Sequence, residues 1–191
     1  MVKVFGDFLE NLPKQTEFLV LGFSPSSLPI QKRWRNNGLS ADFLADYMTT
    51  FFPGEPTSTK GISKQSEIKG VVSYIANELL ENAMKYSDDN VEQPISLSLY
   101  LFNDKLIFLS ANCVVLSMLD RFQAFLTELT THDPYELYIQ KVESIAEEDN
   151  QSGLGYLTLI NDYGASLGWK FQEIQSEPKI VTVTTMVQLP L

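Results

Sequence analysis

Apolar positions repeat with a helical period between Glu67 and Ser87, the most regular stretch of the chain. At 100° per residue its apolar side chains fall on one broad arc of a helix. Three polar residues, Glu78, Asn82 and Lys85, follow at spacings of four and three, so they share a second face at the border of that arc. The pattern predicts a long helix whose polar edge lies beside a core. An ordinary solvated face with a Glu–Lys pair would account for these residues equally well.

Similar patterns predict the rest of the secondary structure. Helical spacing predicts further helices at 1–12, 41–52, 114–131, 134–147 and 154–163. Alternating or continuous apolar runs predict strands at 18–23, 95–102, 105–110, 168–174 and 179–189. The start of the 134–147 helix is well defined, with Asp133 as N-cap and Pro134 at the first position. This order predicts an α+β fold, a two-layer α/β sandwich with a mixed, antiparallel-rich sheet and helices on one face.

A pair of glycines opens an apolar run from Gln151 to Ile160. Free N–H groups at the start of a helix and the positive end of its dipole point the same way, so a turn built on Gly153 and Gly155 is suited to binding an anion. A Gly-Leu-Gly sequence also occurs in ordinary loops. The turn by itself therefore leaves both interpretations open.

Two short motifs resemble those of the GHKL ATPase superfamily, which includes gyrase, Hsp90, MutL, histidine-kinase catalytic domains and anti-sigma-factor kinases. The run ELLENAMKY, from Glu78 to Tyr86, resembles its N box. The run SGLGY, from Ser152 to Tyr156, resembles the second half of its glycine box, although Gln151 and Tyr156 stand where the superfamily prefers Gly and Leu. The order of the motifs and their separation of about seventy residues also fit. A closer likeness, from about Glu17 to the C-terminus, is to the SiaB-like protein kinases of bacteria.

One motif of the superfamily is missing. After the strand near residues 106–109, an Asp-x-Gly-x-Gly box would supply an Asp that recognises the adenine amino group. This chain instead reads Ser-Ala-Asn-Cys-Val at 110–114, without Asp or Gly. Asn112 has a side-chain carbonyl that can accept a hydrogen bond from an amino group. It is therefore the candidate for adenine recognition.

The resemblance implies a single GHKL-like domain over residues 1–191, of the Bergerat type, with ATP and Mg²⁺ between the central helix and the glycine-opened helix. It implies that Glu78 is a general base and that Asn82 ligates Mg²⁺ through its amide oxygen. A helical insert at about 114–150 stands in the place of the ATP lid, where it either adds a partner surface or only covers the core. The other residues implied to bind the nucleotide are Lys85, Asn112, Gly153, Leu154 and Gly155.

Composition and charge exclude several classes of protein. With 191 residues and 44% hydrophobic content, one domain with a sizeable core is expected. The net charge of −10 argues against a nucleic-acid partner, which would need a basic face. No apolar run is long enough to predict a membrane span, and one Cys and one His exclude an ordinary structural zinc site. A lone Cys113 fits a reducing cytoplasm.

Three classes of function remain at this stage. The first is an ATP-dependent protein kinase that phosphorylates Ser or Thr of a small STAS-like, anti-sigma-antagonist or SiaC-like partner. The second is a degenerate regulatory module that binds such a partner without phosphotransfer, which the missing Asp box favours. The third, an ATP-hydrolysing conformational switch, would need dimerisation and transducer domains that this sequence does not contain. The sequence leaves open whether the chain forms a homo-oligomer.

Overall fold

The computed structural model describes residues 2–12, 17–24, 30–52, 64–88, 90–145 and 153–191, with the backbone alone at 30–36 and 144–145. The elements follow one another as β1 (Val2–Gly6), β2 (Glu17–Phe23), α1 (Ile30–Thr49), α2 (Lys64–Tyr86), β3 (Ile95–Leu101), β4 (Lys105–Cys113), α3 (Leu116–Thr131), α4 (Pro134–Ile145), α5 (Leu154–Tyr163), β5 (Ser166–Ser176) and β6 (Lys179–Pro190).

The six strands form one sheet in the order β1-β5-β6-β4-β3-β2. Every pairing between these strands is antiparallel, so the α+β prediction is confirmed while the predicted mixed sheet is wrong. The hairpin β3–β4 is confirmed, but β4 runs on to Cys113, three residues beyond its predicted end at 110. The extension forms because Asn112 and Cys113 still pair with β6, and it places Asn112 within a strand instead of a loop.

The central helix α2 buries the predicted apolar arc against the sheet. Its buried residues are Ile68, Val72, Ile75, Ala76, Leu79, Leu80, Ala83 and Met84. The main apolar core combines most of this arc with one face of the sheet and with side chains of α1, α3, α4 and α5, while Ala83 and Met84 pack with Ile95 in a second, smaller cluster. The predicted helical layer on one face is therefore present.

The N-terminus departs from the prediction. A helix was expected at 1–12, but β1 pairs with β5 there instead. Gly6 has φ 62°, and after it Asp7 donates its backbone N–H to the Leu167 carbonyl (2.8 Å), which turns the chain across the opposite face of the sheet. Gln188 donates its side-chain amide to the Asp7 carbonyl at 2.7 Å and fixes this crossing. Pairing with an open sheet edge overrides a local helical spacing.

The first helix is longer than expected. Helical spacing predicts a helix at 41–52, whereas α1 begins eleven residues earlier, at Ile30, and ends at Thr49. Its first turns are polar and include Asn37 and Gly38, which weaken helix propensity. Its later residues Leu44 and Met48 are fully buried in the main core, so tertiary packing stabilises the helix in spite of that propensity.

The predicted insert contains two helices, as expected. They are α3 and α4, although α4 is followed only to Ile145 and the remainder of 114–150 lies outside the described residues. Asp133 caps α4 as predicted, because its carboxylate accepts the backbone N–H groups of Tyr135 and Glu136, each at 3.0 Å. Within the described ranges, none of the helices has the length and apolarity needed to cross a bilayer.

Gly168→Ala is expected to lower the free energy of unfolding by about 1–3 kcal/mol, the usual cost of overpacking. A β-carbon at Gly168 would lie 2.5 Å from the backbone nitrogen of Phe8, and backbone cannot rotate away. Gly70→Ala is the matched control, since Gly70 lies in α2 with open space around it and Ala should stabilise by about 0.5–1 kcal/mol. Urea unfolding measures both, and equal stability of Gly168→Ala and wild type would show that the crossing segment is loosely held.

Candidate functional site

Backbone hydrogen bonds join the end of α2 to the end of β4, and this junction positions the residues of the site. Asp88 donates its backbone N–H to the Cys113 carbonyl at 2.9 Å, and Val115 donates to the Tyr86 carbonyl at 3.3 Å. These bonds bring the last two turns of α2 beside the polar end of β4. Helix α3 starts directly after this junction and lies against it.

A cavity of about 80 Å³ opens between α2, α3 and the start of α5. Asn82 lines it, and four aromatic side chains form an aromatic wall, those of Tyr86, Phe122, Phe125 and Tyr156. Pockets for small molecules usually span about 300–1,000 Å³. Aromatic side chains thus fill much of the space that the sequence assigned to a nucleotide.

A polar floor lies beneath these aromatic side chains. Ser110 and Asn112 of β4 and Thr185 of β6 surround a smaller cavity of about 10 Å³ together with Asn82 and Tyr156. The Ser110 side chain is 2% exposed, and its Oγ has no hydrogen-bond partner among the described residues. A buried hydroxyl without a hydrogen-bond partner costs free energy, so a ligand that bonded to Ser110 here would remove that cost.

Asn112 and Tyr156 add further hydrogen-bonding groups to this floor. Asn112 is buried and donates its Nδ2 to the neighbouring Cys113 carbonyl at 3.3 Å. Burial raises the pKa of Tyr156 to about 12, and a hydrogen bond with Thr185 opposes that rise. The Tyr156 hydroxyl therefore stays protonated and can donate or accept a hydrogen bond.

Glu78 belongs to α2, one helical turn before Asn82, and its carboxylate lies beside the start of α5. A β-carbon at Gly155 would lie 2.8 Å from the Glu78 carboxyl carbon, so the carboxylate packs directly on the glycine. Burial raises the pKa of Glu78, and the nearby charge of Glu81 raises it further. Glu81 itself accepts a hydrogen bond from the Asn77 amide at 2.7 Å.

The glycine turn serves the packing of the protein's own side chains. Gly153 has φ 95°, a left-handed conformation that favours glycine, and a β-carbon there would meet Phe125 Cζ at 2.5 Å. Leu154 follows as the first residue of α5. The predicted anion turn thus does open a helix, but its glycines are covered by Phe125 and Glu78.

The cations Lys85 and Arg121 lie near this site, and the phosphate-binding role of Lys85 stays a prediction. Lys85 is exposed, lines neither cavity, and has its ammonium 5.2 Å from the centre of the Tyr86 ring. Arg121 of α3 lines the larger cavity instead. Sequence reasoning missed Arg121 and Thr185, and it quoted Ser110 only as part of the 110–114 segment, because the position of each depends on strands and helices brought together by the fold.

The residues at this site fit the base of a magnesium–nucleotide complex better than its metal and phosphates. The amide of Asn82 makes no hydrogen bond within the described part of the chain, and the unpartnered Ser110 hydroxyl lies in the floor beside it, so polar partners are open to a base and to one metal contact. The described residues contain no cluster of three or more His, Cys, Asp or Glu that could hold a metal by themselves. A metal there would thus take most of its ligands from phosphate and water.

Comparison with known proteins supports the fold. No protein-family model matches the sequence, and no curated protein is significantly similar to it. Among solved structures, a chain of the SiaB–SiaC complex from Pseudomonas aeruginosa matches with a TM-score of 0.54 at 15% identity, over 90% of this chain and 89% of that chain. The fold is SiaB-like. At this identity the likeness extends to the fold, and the chemistry of the site has to be argued from its own residues.

Glu78→Gln is expected to raise the midpoint of thermal unfolding at pH 7. The pKa of Glu78 is raised in the folded state, so the ionised carboxylate destabilises that state at every pH above its folded pKa. Both states bind the proton below the ordinary value of 4.5, so the advantage of Gln should shrink as the pH falls towards it. Thermal unfolding of both proteins from pH 4 to 8 measures this, and coincident midpoints at pH 7 would contradict it.

Proposed function

We propose that this protein binds an adenine nucleotide at the cavity between α2, β4, α3 and α5, and that it acts on a small partner protein in signalling. The observation that supports nucleotide binding is the polar floor, where the buried Ser110 hydroxyl lacks a partner. Asn112 and Thr185 lie beside Ser110, so the floor offers acceptors and donors to the edge of a purine. The aromatic wall offers faces on which a planar base can stack.

We propose that Asn82 holds Mg²⁺, as the resemblance implies, and its position at both cavities supports this. Its amide oxygen is a hard ligand suited to Mg²⁺, and it lies between the polar floor and the start of α5. Bound Mg²⁺ would neutralise phosphate charge in a chain that supplies few cations of its own here. Because the cavity holds only about 80 Å³, we expect Phe122 and Phe125 to move outward when a base enters.

The partner is proposed by analogy. The structurally similar chain comes from a complex of SiaB with SiaC, and we propose a small SiaC-like or STAS-like protein as the partner of this chain. The insert is a candidate surface, because α4 exposes Tyr135, Ile139 and Val142 at spacings of four and three. Exposed apolar side chains along one helix face often mark a binding surface.

Phosphotransfer to the partner is the finer form of this proposal. Glu78 favours it, because a carboxylate with a raised pKa one turn from Asn82 is suited to accept a proton from an attacking hydroxyl. The covered glycines favour the alternative, a module that binds its partner without phosphotransfer. The two functions share the fold and the surface and differ in whether ATP reaches the start of α5.

Titration calorimetry with Mg·ATP and with Mg·GTP tests nucleotide binding on the wild-type chain. We expect binding of Mg·ATP with GTP weaker, since the floor is shaped for one purine edge. Binding of neither nucleotide, nor of adenosine, would overturn the nucleotide proposal and leave the partner-binding module as the function. Gel filtration with a SiaC-like protein encoded beside this one tests the partner, and separate elution of the two would remove it.

A further inference from the structure

We infer that Glu78 excludes phosphate from the start of α5, so that the cavity by itself selects an uncharged nucleoside over a nucleoside triphosphate. The inference rests on the proposed nucleotide site and names the residue that decides which part of the ligand is accepted. It follows from the packing of the Glu78 carboxylate on the glycine turn and from the charge that this carboxylate brings there.

The first step concerns where phosphate would go. A ligand seated on the floor, against Ser110 and Asn82, would extend past Tyr156 towards Gly153, because Asn82 and Tyr156 line both cavities and Gly153 lines the larger one. Its next group then meets the first turn of α5, where unpaired backbone N–H groups favour an anion. A triphosphate would therefore lie on the turn from Gly153 to Gly155.

The second step is that the protein's own side chains already cover this turn. The Glu78 carboxylate packs on Gly155 so closely that no β-carbon fits between them, and the Phe125 ring covers Gly153 in the same way. An anionic side chain thus packs beside the first turn of α5, where its charge would repel an anionic ligand. A phosphate could approach Gly155 on that side only if Glu78 changed its rotamer.

The third step concerns charge. Glu81 adds a second carboxylate near Glu78, whereas Arg121 is the cation that lines the larger cavity. Lys141 lies 4.8 Å from the centre of the Phe125 ring, the side chain that covers Gly153. Two negative charges a few ångströms apart in a partly buried site repel strongly. Each phosphate added to a nucleoside should therefore weaken binding as long as Mg²⁺ is absent.

Calorimetry in EDTA with adenosine and with ATP tests this on wild type, Glu78→Gln and Glu67→Gln. Glu67 lies on the same helix eleven residues earlier, about 16 Å away, and controls for the loss of one negative charge. We expect wild type to bind adenosine at least as tightly as ATP. Glu78→Gln should tighten ATP binding about tenfold or more with adenosine affinity within about twofold of wild type, and Glu67→Gln should change neither.

The outcomes separate this inference from the proposed function. Adenosine binding together with equal ATP affinity in wild type and Glu78→Gln would overturn the exclusion and keep the nucleotide site. Failure of both ligands to bind either protein would overturn the nucleotide site, and the exclusion with it. Glu78→Ala, which shortens the side chain, is a second variant and should repeat the gain in ATP affinity, and circular dichroism verifies the fold of each variant.

Discussion

Glu78→Gln is expected to lower the rate of phosphotransfer from ATP to a SiaC-like partner by about 10²–10⁴-fold at saturating ATP, the usual contribution of a general base. Gln keeps the shape of the side chain but cannot accept a proton. The Glu78 carboxylate lies one turn before Asn82 on α2 and packs against Gly155 of α5. Saturating ATP removes any gain in nucleotide affinity from the comparison.

Radiolabel transfer from ATP to the partner measures this effect, with Glu67→Gln as the control that should retain the wild-type rate. Equal rates for wild type and Glu78→Gln would remove Glu78 from the mechanism. No transfer by wild type, under conditions in which the partner binds, would identify the chain as a module that binds its partner without phosphotransfer. Each result thus assigns the chain to one of the two proposed functions.

Asn82→Ala is expected to lower Mg·ATP affinity by at least about 100-fold. Removing a residue that only orients a metal ligand lowers metal affinity by about 10–100-fold, and removing the ligand itself should cost at least as much. The Asn82 amide makes no hydrogen bond within the described part of the chain, and Ala has the higher helix propensity, so thermal unfolding should stay close to wild type. An affinity loss without a stability loss is the signature of a ligand-binding residue.

Asn77→Ala is the matched control for this prediction. Asn77 carries the same amide on the same helix, donates to Glu81 at 2.7 Å, and lines neither cavity. Its loss should leave Mg·ATP affinity unchanged. Calorimetry on both variants decides the assignment, and equal Mg·ATP affinity in wild type and Asn82→Ala would show that the metal is not held there.

The two Glu78 predictions together describe a side chain with opposed effects. Its carboxylate opposes phosphate binding when Mg²⁺ is absent and promotes transfer once ATP is held. Glu78→Gln should therefore bind Mg-free ATP more tightly and transfer phosphate more slowly. A partner protein that displaced Phe125 or Glu78 from the glycine turn would favour ATP binding, and this would link partner binding to activity.

Some of the site was predictable because it depends on local spacing. The buried arc of α2 follows from helical periodicity, so its apolar face and the shared edge of Glu78 and Asn82 could be predicted. The cap of α4 at Asp133 is also local, since the donors are two and three residues away. The helix after Gly153 was predictable for the same reason.

Other parts were decided by partners that are distant in sequence. The N-terminal residues had helical spacing, but the open edge of β5 offered backbone pairing that no local pattern shows. Strand β4 ran past its predicted end because β6, about seventy residues later, paired with Asn112. Lys85 had the right spacing but points to solvent, because the side of the helix that packs is fixed by the sheet and by α3.

The sequence by itself determined that α2 would be an amphipathic helix carrying Glu78 and Asn82 on one edge, because helix geometry fixes the relation of residues four apart. Only the tertiary structure decided what that edge faces. It set the unpartnered Ser110 hydroxyl beside Asn82 and the Glu78 carboxylate on Gly155. These neighbours lie far apart in the chain, and they meet because burying one apolar face of a single antiparallel sheet brings α2, β4 and α5 into contact.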